Sequence, residues 1–530
     1  MSRLFAIALT FCLAAATQGR PVSRADVAGE TSAGESSAET DERARRLVAD
    51  ALDALGGASR LEAITSVLVK TEGRENSAAI AQGYKPEGEG KSAAHEESIV
   101  AYPAQERFLY ELKTARGDGT YRWRRWAYTG DERTVVDFVE RFAAARRAES
   151  NRAERLRRAR RVPHLLLLEA SKNADALGPA TTAEFDGRRH DVVSFRLPGE
   201  KTSVRLFLDA ETHLLSKYDY TMDFPPYGDT MVELVYAPYR RHERLGWFPT
   251  GDAVRVGGKT YRQVSYSAVE VDSPRAAAQF ELPEDLRAHV AAPGSVTEIA
   301  RGVFLVNSLG NLSPVFVEFK DFVLAVEAPT HYFSLDTVPA DPQQPGASST
   351  SEEFIRKIKE TVPGKPIRYL VVTHTHSDHA GGARAFIAEG ATVLTTTGNR
   401  AFFERMASAT HTVAPDRLAR EPRPLKLETF DGRRSVTDGE RTVELINTGP
   451  NPHTEENIVV HLPRERILYQ GDLFYFDGES SFPPRSRTTV MPFFARWLVK
   501  NNLAPERIYG AHDRGFATME HIRRVLALAP

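Results

Sequence analysis

The sequence predicts two folded regions, an N-terminal α+β region built on an antiparallel sheet and a C-terminal region of layered sheets and helices. Three observations predict this division. A chain of 530 residues exceeds one typical domain. Residues 41–288 contain many short stretches that alternate polar and apolar residues, as half-exposed antiparallel strands do. Residues 299–530 alternate short apolar strands with helices, and residues 289–298 between the two regions read as a linker.

The N-terminus has the composition of a secretory signal peptide, which we predict over residues 1–20. Arg3 precedes an apolar run of 13 residues, 4–16, which is too short to span a bilayer as a mature helix. The single cysteine, Cys12, lies inside this run, so the mature chain would have no disulfide and no thiolate ligand. We therefore expect an exported protein, periplasmic or extracellular. Residues 21–40, rich in Ser, Ala, Glu and Gly, predict a disordered tether.

Charge and hydropathy narrow the range of partners. A net charge of −2 gives no reason to expect nucleic acid as a partner. No other stretch approaches the roughly 18 consecutive apolar residues of a membrane-spanning helix, so we predict no transmembrane segment. A small-molecule substrate is the expected partner.

The first region opens with a predicted helix and contains an arginine-rich segment. The helix buries one face and ends at Gly56; that face consists of Leu47, Val48, Ala51, Leu52 and Leu55. The arginines fit either an anion site or the solvated face of a helix, and we favour the solvated face because Glu149 and Glu154 partly balance the charge. They are Arg146, Arg147, Arg152, Arg155, Arg157, Arg158, Arg160 and Arg161.

The second region alternates elements along its whole length. Strands are predicted at GVFLVN, PVFVEFK, FVLAVEAP, IRYLVVT, ATVLTTT, RTVELINT, NIVVHLP, RILYQGD and RIYGAHD. Helices are predicted at TSEEFIRKIKETV, ARAFIAEG and MEHIRRVLALA. The first of these helices carries a predicted capping box formed by Thr350 and Glu353.

Potential metal donors cluster directly after one apolar strand and recur at later strand ends. His374, His376, Asp378 and His379 stand within six residues, which is too dense for an ordinary polar loop. Each later donor also follows a strand, and these are His453, Asp472 and His512. Imidazole and carboxylate suit Zn²⁺ and related divalent ions.

The order of the donors predicts a site for two ions. His374, His376 and His453 can converge on one ion, and Asp378, His379 and His512 on a second. Asp472 has two oxygens and can bridge both ions. Two such ions lower the pKa of a water and polarise the substrate oxygen.

The segments THTHSDHAGG, GPNPHT, YQGDLF and GAHD resemble the metallo-β-lactamase superfamily, over residues 294–530. The resemblance implies an αβ/βα sandwich with the site at one edge of the two sheets, and the same seven metal ligands. Two departures narrow the activity. His376 stands where flavin-linked di-iron relatives usually have Glu, which argues against redox chemistry. Asp472 stands where several lactamases have Cys or Ser, so the pattern is more similar to thioesterases, lactonases and phosphodiesterases.

The resemblance also points to residues around the site. Glu327 stands where the family often has an aspartate, and it either orients a metal-bound histidine or ends a surface strand. The Gly/Pro/Ser-rich segment 329–351 is either a mobile lid or a disordered insertion. His331 and Tyr475 are candidate substrate contacts, with packing as the alternative role.

The opening of the first region, LVADALDALGGASRLEAI, resembles periplasmic lipoprotein-carrier-like domains, which are half-barrels with an apolar concave face. The resemblance implies a lipophilic ligand or a scaffold role. Trp123, Trp126, Phe224 and Tyr227 are candidates for lining such a groove, although core packing is the role we favour for most of them.

These observations predict an exported hydrolase with two zinc ions, Fe or Mn being the other candidate metals. A metal-bound hydroxide would attack an ester, thioester, lactone, amide or phosphodiester, with Asp378 or Asp472 orienting the water and accepting its proton. Two alternatives stay open. The chain is a lipophilic-ligand-binding protein with a non-catalytic metal domain, or it is a β-lactamase proper. A third hypothesis is that the protein is an oxidoreductase with two irons.

Overall fold

The computed structural model describes residues 37–76, 92–115, 121–139, 141–200, 202–224, 227–284, 286–288, 294–310, 312–330, 348–479, 482–483 and 489–528. The predicted signal peptide, His331 and most of the predicted lid lie outside these ranges. The first helix begins at Ser37, so the range predicted as tether is partly helical. In the described ranges, no helix is both long and apolar enough to cross a membrane.

The first region is built on one large antiparallel sheet. Its strands are β1 (Val67–Glu75), β2 (Ala93–Tyr102), β3 (Arg107–Ala115), β4 (Tyr121–Thr129), β5 (Glu132–Asp137), β6 (Phe142–Arg147), β7 (Leu177–Phe185), β8 (Arg188–Phe195), β9 (Val204–Asp209), β10 (Leu215–Phe224), β11 (Gly228–Tyr236), β12 (Tyr239–His242), β13 (Gly246–Pro249), β14 (Gly251–Val256), β15 (Lys259–Val271) and β16 (Arg287–Ala288). Fourteen described strands form the sheet in the order β16-β6-β5-β4-β3-β2-β1-β15-β14-β11-β10-β9-β8-β7, and β12 and β13 form a separate hairpin. Among the described strands of this sheet, only the short β16 pairs in parallel, with β6.

Two helices bury their apolar sides against this sheet. The helix Ser37–Leu55 contacts the helix Pro163–Lys172 and strand β7. Its predicted apolar face is confirmed, because Val48, Ala51, Leu52 and Leu55 are buried in the main core and Leu47 packs against that core. Gly56 follows at φ +126°, a conformation that a residue with a Cβ rarely adopts, so the helix ends there. Shorter helices are Ala58–Glu62, Ser150–Ala159 and Pro274–Ala278.

Six arginines of the arginine-rich segment lie on the helix Ser150–Ala159 and the turn after it, whereas Arg146 and Arg147 end strand β6. Our prediction of a solvated face is wrong. Five arginines of the segment are buried, namely Arg155, Arg157, Arg158, Arg160 and Arg161. Arg157 donates to Glu200 at 2.6 Å, and Arg161 lies against Glu97 and Asp252 at 2.8 and 3.2 Å. The prediction failed because the carboxylates that compensate the charges of Arg157 and Arg161 lie on distant strands and loops.

The aromatic residues considered for a groove have different environments. Trp126 and Phe224 are buried in the main core, which confirms packing as their role. Tyr227 is partly buried and stacks on Phe224, with 5.5 Å between the ring centroids. Trp123 is 37% exposed and stacks on Phe138. The four side chains therefore do not line one common groove.

The second region contains two sheets. The first consists of β17 (Val296–Ala300), β18 (Val303–Val306), β19 (Val315–Glu318), β20 (Val323–Val326), β21 (Ile367–Val371), β22 (Thr392–Thr396) and β23 (Lys426–Phe430), in that order. The second consists of β24 (Arg433–Thr437), β25 (Thr442–Asn447), β26 (Ile458–Leu462), β27 (Ile467–Gln470) and β28 (Arg507–Gly510), also in chain order. β20 to β23 pair in parallel, as do β27 and β28.

Three cores hold these layers together. Side chains of both sheets share one core, in which Leu324 and Val371 of the first sheet meet Val460 and Tyr469 of the second. The other side of the first sheet packs against helices, which are Ser349–Thr361, Ala383–Glu389 and Arg400–Ser408. The other side of the second sheet packs against Val490–Lys500 and Met519–Leu528. The region is therefore layered as helices, sheet, sheet and helices.

Two boundary details of this region differ from the predictions. The helix Ser349–Thr361 has no capping box, because Thr350 Oγ1 is buried without a hydrogen-bond partner among the described residues and Glu353 pairs with Arg356 instead. Strand β17 starts at Val296, inside the range predicted as linker, because it pairs with β18.

The two regions contact each other through the loop that follows the helix Arg400–Ser408. His411 Nδ1 lies 2.7 Å from Asp223 Oδ1, and both side chains are buried. Asp229 accepts hydrogen bonds from the backbone N–H groups of Thr412 at 2.8 Å and Val413 at 3.0 Å. The end of β10 and the start of β11 thus hold this loop of the second region.

Candidate metal centre

The predicted donors follow strands of both sheets in the second region. His374 and His376 come after β21, and the short helix Ser377–Ala380 carries Asp378 and His379. In the second sheet, three donors follow β25, β27 and β28 respectively, and they are His453, Asp472 and His512. Ile458 N donates to Thr373 O at 2.7 Å, so the start of β26 is tied to the loop that carries the first donors.

All seven donors lie together in two groups. The first group is His374, His376, His453 and Asp472, whose ligand atoms lie within 4.8 Å of one another. His374 Nε2 and His453 Nε2 face each other at 3.1 Å. The rings of His376 and His453 are 4.4 Å apart between centroids. His374 is buried, whereas His376 and His453 are partly exposed, so the group is open on one side.

The second group is Asp378, His379 and His512, also within 4.8 Å. Asp378 Oδ2 lies 3.4 Å from His512 Nε2 and 3.8 Å from His379 Nε2. His379 is fully buried, whereas Asp378 and His512 are partly exposed. This group therefore has the same arrangement as the first, with a buried histidine at its base.

Asp472 stands between the two groups. Its Oδ2 lies 3.3 Å from His453 Nε2, and its Oδ1 lies 3.1 Å from His379 Nε2 and 3.3 Å from His512 Nε2. Each oxygen of the carboxylate thus faces one group. Gly471 permits this approach, because a Cβ there would lie 2.5 Å from Thr373 Oγ1 and 3.0 Å from His374 Nδ1.

Glu327 is buried beneath the histidines, so the alternative of a surface strand end is wrong. Its Oε1 lies 3.2 Å from His379 Nδ1 and accepts a hydrogen bond from Thr373 Oγ1 at 2.6 Å. Thr373 Oγ1 in turn lies 3.0 Å from His374 Nδ1 and can accept a hydrogen bond from its N–H. One carboxylate therefore orients a histidine in each group, directly or through a hydroxyl, and leaves both Nε2 atoms facing the other donors.

Two imidazoles of the first group, those of His374 and His376, are held in the neutral form. Burial and the neighbouring rings of His379, His376 and His453 lower the pKa of His374 well below its ordinary value. Burial and then His453 lower the pKa of His376 to about 3. Neutral imidazole is the form that coordinates a metal ion.

The second group carries the opposite perturbation. Burial favours neutral His379, but Asp472, Asp378 and Glu327 raise its pKa well above the ordinary value. Asp472 and Asp378 likewise raise the pKa of His512 to about 10 against the effect of burial. Burial would raise the pKa of Asp472, but His512 and His379 hold it well below the ordinary range. Here the carboxylates attract positive charge, which a divalent cation also supplies.

The residues present fit divalent metal ions. Five imidazoles and two carboxylates form a set of nitrogen and oxygen donors typical of zinc and related ions. His376 Nε2 is buried and has no hydrogen-bond partner in the described ranges, which is an unfavourable state for a polar atom unless a ligand occupies the site. Both groups therefore have the composition and the convergence that a metal centre requires.

Several residues that shape the site were not singled out from the sequence. Asn451 Oδ1 accepts hydrogen bonds from the backbone N–H groups of His453 and Thr454, both at 2.9 Å, and so shapes the His453 loop. Gln470 Oε1 accepts from Leu473 N at 2.8 Å and Phe474 N at 3.1 Å, which fixes the turn around Asp472. The sequence contains one sign of these supporting residues, which is the glutamine at the end of the apolar strand RILYQGD.

Two further residues around the centre were predicted as substrate contacts. Tyr475 packs against the core formed by the second sheet and the last two helices, and its role as a substrate contact stays a prediction. His331 lies outside the described residues.

The comparison with known proteins identifies the family of this region. Residues 345–512 match the family model described as the metallo-beta-lactamase superfamily. The chain is 26% identical over 156 residues to the alpha subunit of 2,4-dinitroanisole O-demethylase from Nocardioides sp. (strain JS1661), a match that covers 29% of this chain and 40% of that relative. It is 28% identical over 108 residues to the metallo-beta-lactamase type 2 of Elizabethkingia meningoseptica, covering 20% of this chain and 37% of that relative. The chain thus spans less than half the length of both relatives.

Solved structures with similarity to this chain include a metallo-beta-lactamase and a sec-alkylsulfatase. The metallo-beta-lactamase FIM-1 from Pseudomonas aeruginosa in the mono-zinc form matches at 21% identity and a TM-score of 0.31, covering 45% of this chain and 95% of that protein. The sec-alkylsulfatase Pisa1 from Pseudomonas sp. matches at 15% identity and a TM-score of 0.30, covering 44% and 40%. On the family match and the convergence of its donors, residues 345–512 of this chain form a domain of the metallo-β-lactamase superfamily.

Proposed function

We propose that this protein is a hydrolase that works with two divalent metal ions, zinc being the first candidate and Fe or Mn the others. The superfamily domain supports a metal-dependent hydrolase. The observation that carries the proposal of two ions is the position of Asp472, whose two oxygens face one donor group each at 3.1–3.3 Å. A lone structural ion would need only one of these groups.

Some residues of the chain would bind the ions, and one of them would also accept a proton. His374, His376, His453 and Asp472 would hold one ion, and the second group would hold the other. When bound, the ions supply Lewis acidity and lower the pKa of a water. Asp378 is partly exposed at the open side, where its carboxylate can orient a water and accept its proton.

The identity of the hydrolysed bond is a separate proposal. The two curated relatives are named for different substrates, one an aryl methyl ether and the other β-lactams, so family membership alone does not select a bond. An aspartate at position 472 favours the general hydrolases of the superfamily. We propose an ester, thioester, lactone, amide or phosphodiester as the substrate, with β-lactams included in the panel.

The first experiment measures metal content per chain on protein purified without added metal. We expect about two zinc ions in the parent, and fewer in His376→Ala and Asp472→Asn, because each removes a donor. His461→Ala is the matched control, since His461 lies on β26 of the same region, pairs with Glu444 at 2.9 Å and contacts neither group. This variant should keep the parent's zinc and its activity on the substrate panel.

Four outcomes would contradict the proposal. A folded parent that takes up no zinc, iron or manganese would exclude a metal-dependent reaction. Two irons with oxygen consumption would replace hydrolysis with redox chemistry. Loss of zinc in His461→Ala equal to that in His376→Ala would mean that zinc reports folding rather than ligation. Metal binding without any hydrolysis, together with a bound lipid, would favour the lipophilic-ligand carrier.

We also propose that the chain is exported, with residues 1–20 removed. The short basic start and the apolar run support this. Cell fractionation and N-terminal sequencing of the recovered protein test it. Recovery of the intact N-terminus from the cytoplasm alone would contradict it.

A further inference from the structure

A second cavity lies in the first region and takes no part in the proposed metal chemistry. Its volume is about 480 Å³, which falls within the range of roughly 300–1,000 Å³ typical of small-molecule sites. It is lined by the helices Ser150–Ala159 and Pro163–Lys172, by the short turn Pro103–Gln105 and by residues 197–199. All of its lining residues lie between residues 101 and 199, so both donor groups belong to another part of the chain.

One wall of the cavity is apolar. Phe108, Leu166 and Leu197 belong to the buried core, and their surfaces also line the cavity. Leu156 and Leu165 are only partly buried beside them. Apolar side chains around an open cavity lose the contacts that a filled core would supply, so this wall favours an alkyl or acyl chain as the occupant.

The other lining groups are mainly basic. Five basic side chains line the cavity against three acidic ones, Glu106, Glu149 and Glu169, which leaves an excess of two positive charges. The basic side chains are Arg107, Arg152, Arg155, Arg160 and Lys172. A negative group is therefore favoured beside the apolar wall.

Arg155 is the basic side chain that points to a ligand most directly. Only 7% of it is exposed. Its Nη2 lies 3.1 Å from Glu106 Oε1, but the same oxygen also accepts from Arg152 Nη2 at 2.9 Å. Arg155 Nε is buried and has no hydrogen-bond partner in the described part of the chain. A guanidinium has five N–H donors, and burying one whose carboxylate partner among the described residues is shared with another arginine is costly.

Two simpler occupants fit this cavity less well. An uncharged lipophile would cover the apolar wall, but Arg155 would still share one oxygen of Glu106 with Arg152. A small inorganic anion would satisfy Arg155 but would leave the apolar wall uncovered. A ligand with both parts satisfies both walls at once.

We propose that this cavity binds a single-chain amphiphile with a carboxylate head, an alkanoate. The carboxylate pairs with Arg155, for which a planar two-oxygen head is the geometric match. The alkyl chain lies against Leu156, Leu165 and Leu166. The site makes the first region a ligand-binding domain in its own right, whatever reaction the metal centre performs.

The test is calorimetric titration of the full-length protein with octanoate, decanoate and dodecanoate below their critical micelle concentrations. Affinity should rise about fourfold for each added methylene until the cavity is full. Dodecanol should bind at least tenfold more weakly than dodecanoate, because it lacks the charge. Acetate and dodecyltrimethylammonium should not bind at detectable affinity.

Two variants locate the head and the chain. Arg155→Met should weaken dodecanoate at least tenfold and leave dodecanol unchanged. It should fold, because replacing a buried charge by an apolar side chain of similar size is often neutral for stability. Arg147→Met is the control for the loss of one positive charge, since Arg147 is 72% exposed on β6, lies 3.7 Å from Asp131 and does not line the cavity; it should change the affinity less than threefold. Ala159→Phe, at a partly buried lining position, should block all alkanoates.

Several results would overturn the proposal. Equal binding of dodecanoate and dodecanol, with no effect of Arg155→Met, would leave an apolar site without head recognition. Binding that survives Ala159→Phe would place the ligand elsewhere. Absence of binding by the folded parent would show that the cavity takes no alkanoate. Metal content is measured in the same samples, so failure of this proposal and failure of the hydrolase are read separately.

Discussion

Replacing Glu327 by glutamine should weaken metal binding without disturbing the backbone. The carboxylate lies 3.2 Å from His379 Nδ1 and accepts from Thr373 Oγ1 at 2.6 Å, and it is fully buried. Glutamine keeps the size of the side chain and the residue's unusual φ of +76°, so the change removes mainly the charge. Loss of an outer carboxylate that orients a metal-bound histidine typically weakens metal affinity about 10- to 100-fold, or roughly 1.4–2.7 kcal/mol.

The assay is zinc affinity by competition with a chromophoric chelator, combined with urea unfolding of the metal-free protein. Asp416→Asn is the matched control, because Asp416 is equally a buried carboxylate of the second region, bonded to Arg384 at 2.7 and 3.0 Å and in neither donor group. Both variants should lose about 1–3 kcal/mol of unfolding free energy. Only Glu327→Gln should lose zinc affinity.

Thr373→Val separates the two donor groups. It removes the hydroxyl between Glu327 and His374 but leaves the contact between Glu327 and His379. We expect one of the two zinc ions to weaken and the other to change little. The reasoning is refuted if Glu327→Gln binds zinc like the parent, or if Asp416→Asn loses as much zinc affinity.

Three further predictions concern other parts of the chain. Burial lowers the pKa of His164 to about 4, so the unfolded chain takes up its proton first as pH falls; stability should drop by about 2 kcal/mol between pH 7 and 4.5 in urea unfolding, and His164→Phe should lose that part of the slope. Gly471→Ala should lower zinc content, because its Cβ would lie 2.5 Å from Thr373 Oγ1; normal zinc content would show that the loop adjusts freely. Asp229→Ala frees the backbone N–H groups of Thr412 and Val413, so limited proteolysis should cut that loop faster than in the parent, and an unchanged pattern would contradict its role in holding the regions together.

The positions of the metal donors could be predicted because they depend on a local sequence pattern, the apolar strand before each donor. Each donor follows a strand whose apolar run is readable, and strands of neighbouring sheets bring their ends to one edge. The parallel strands β20 to β23 illustrate this for His374 and His376. By contrast, strands β23 and β24 and the helices Arg400–Ser408 and Val490–Lys500 were not predicted, because their residues carry no clear period without their tertiary neighbours.

The arginine-rich segment shows why its charge pattern led to a wrong prediction. From the sequence its balance of Glu and Arg indicated a solvated surface. In the fold, Arg161 pairs with Glu97, 64 residues away, and with Asp252, 91 residues away. Pairing over such separations leaves no local trace, because it depends on which strands the sheet brings side by side. The contact between His411 and Asp223, 188 residues apart, likewise leaves no local trace, because it forms only where a loop of the second region meets β10.

The sequence by itself determined which residues carry chemistry, since residue type sets which atoms can bind a metal, and the strand that precedes each donor is a local feature. It also determined the division into an antiparallel region and a layered one. Only the tertiary structure decided which donors lie next to each other and which residues orient them. The two oxygens of Asp472 face different groups because β27 lies beside β28, and Glu327 reaches both histidines because β20 lies beside β21. The cavity beside Arg155 likewise exists only after folding, since its walls come from segments that meet by packing and not by sequence.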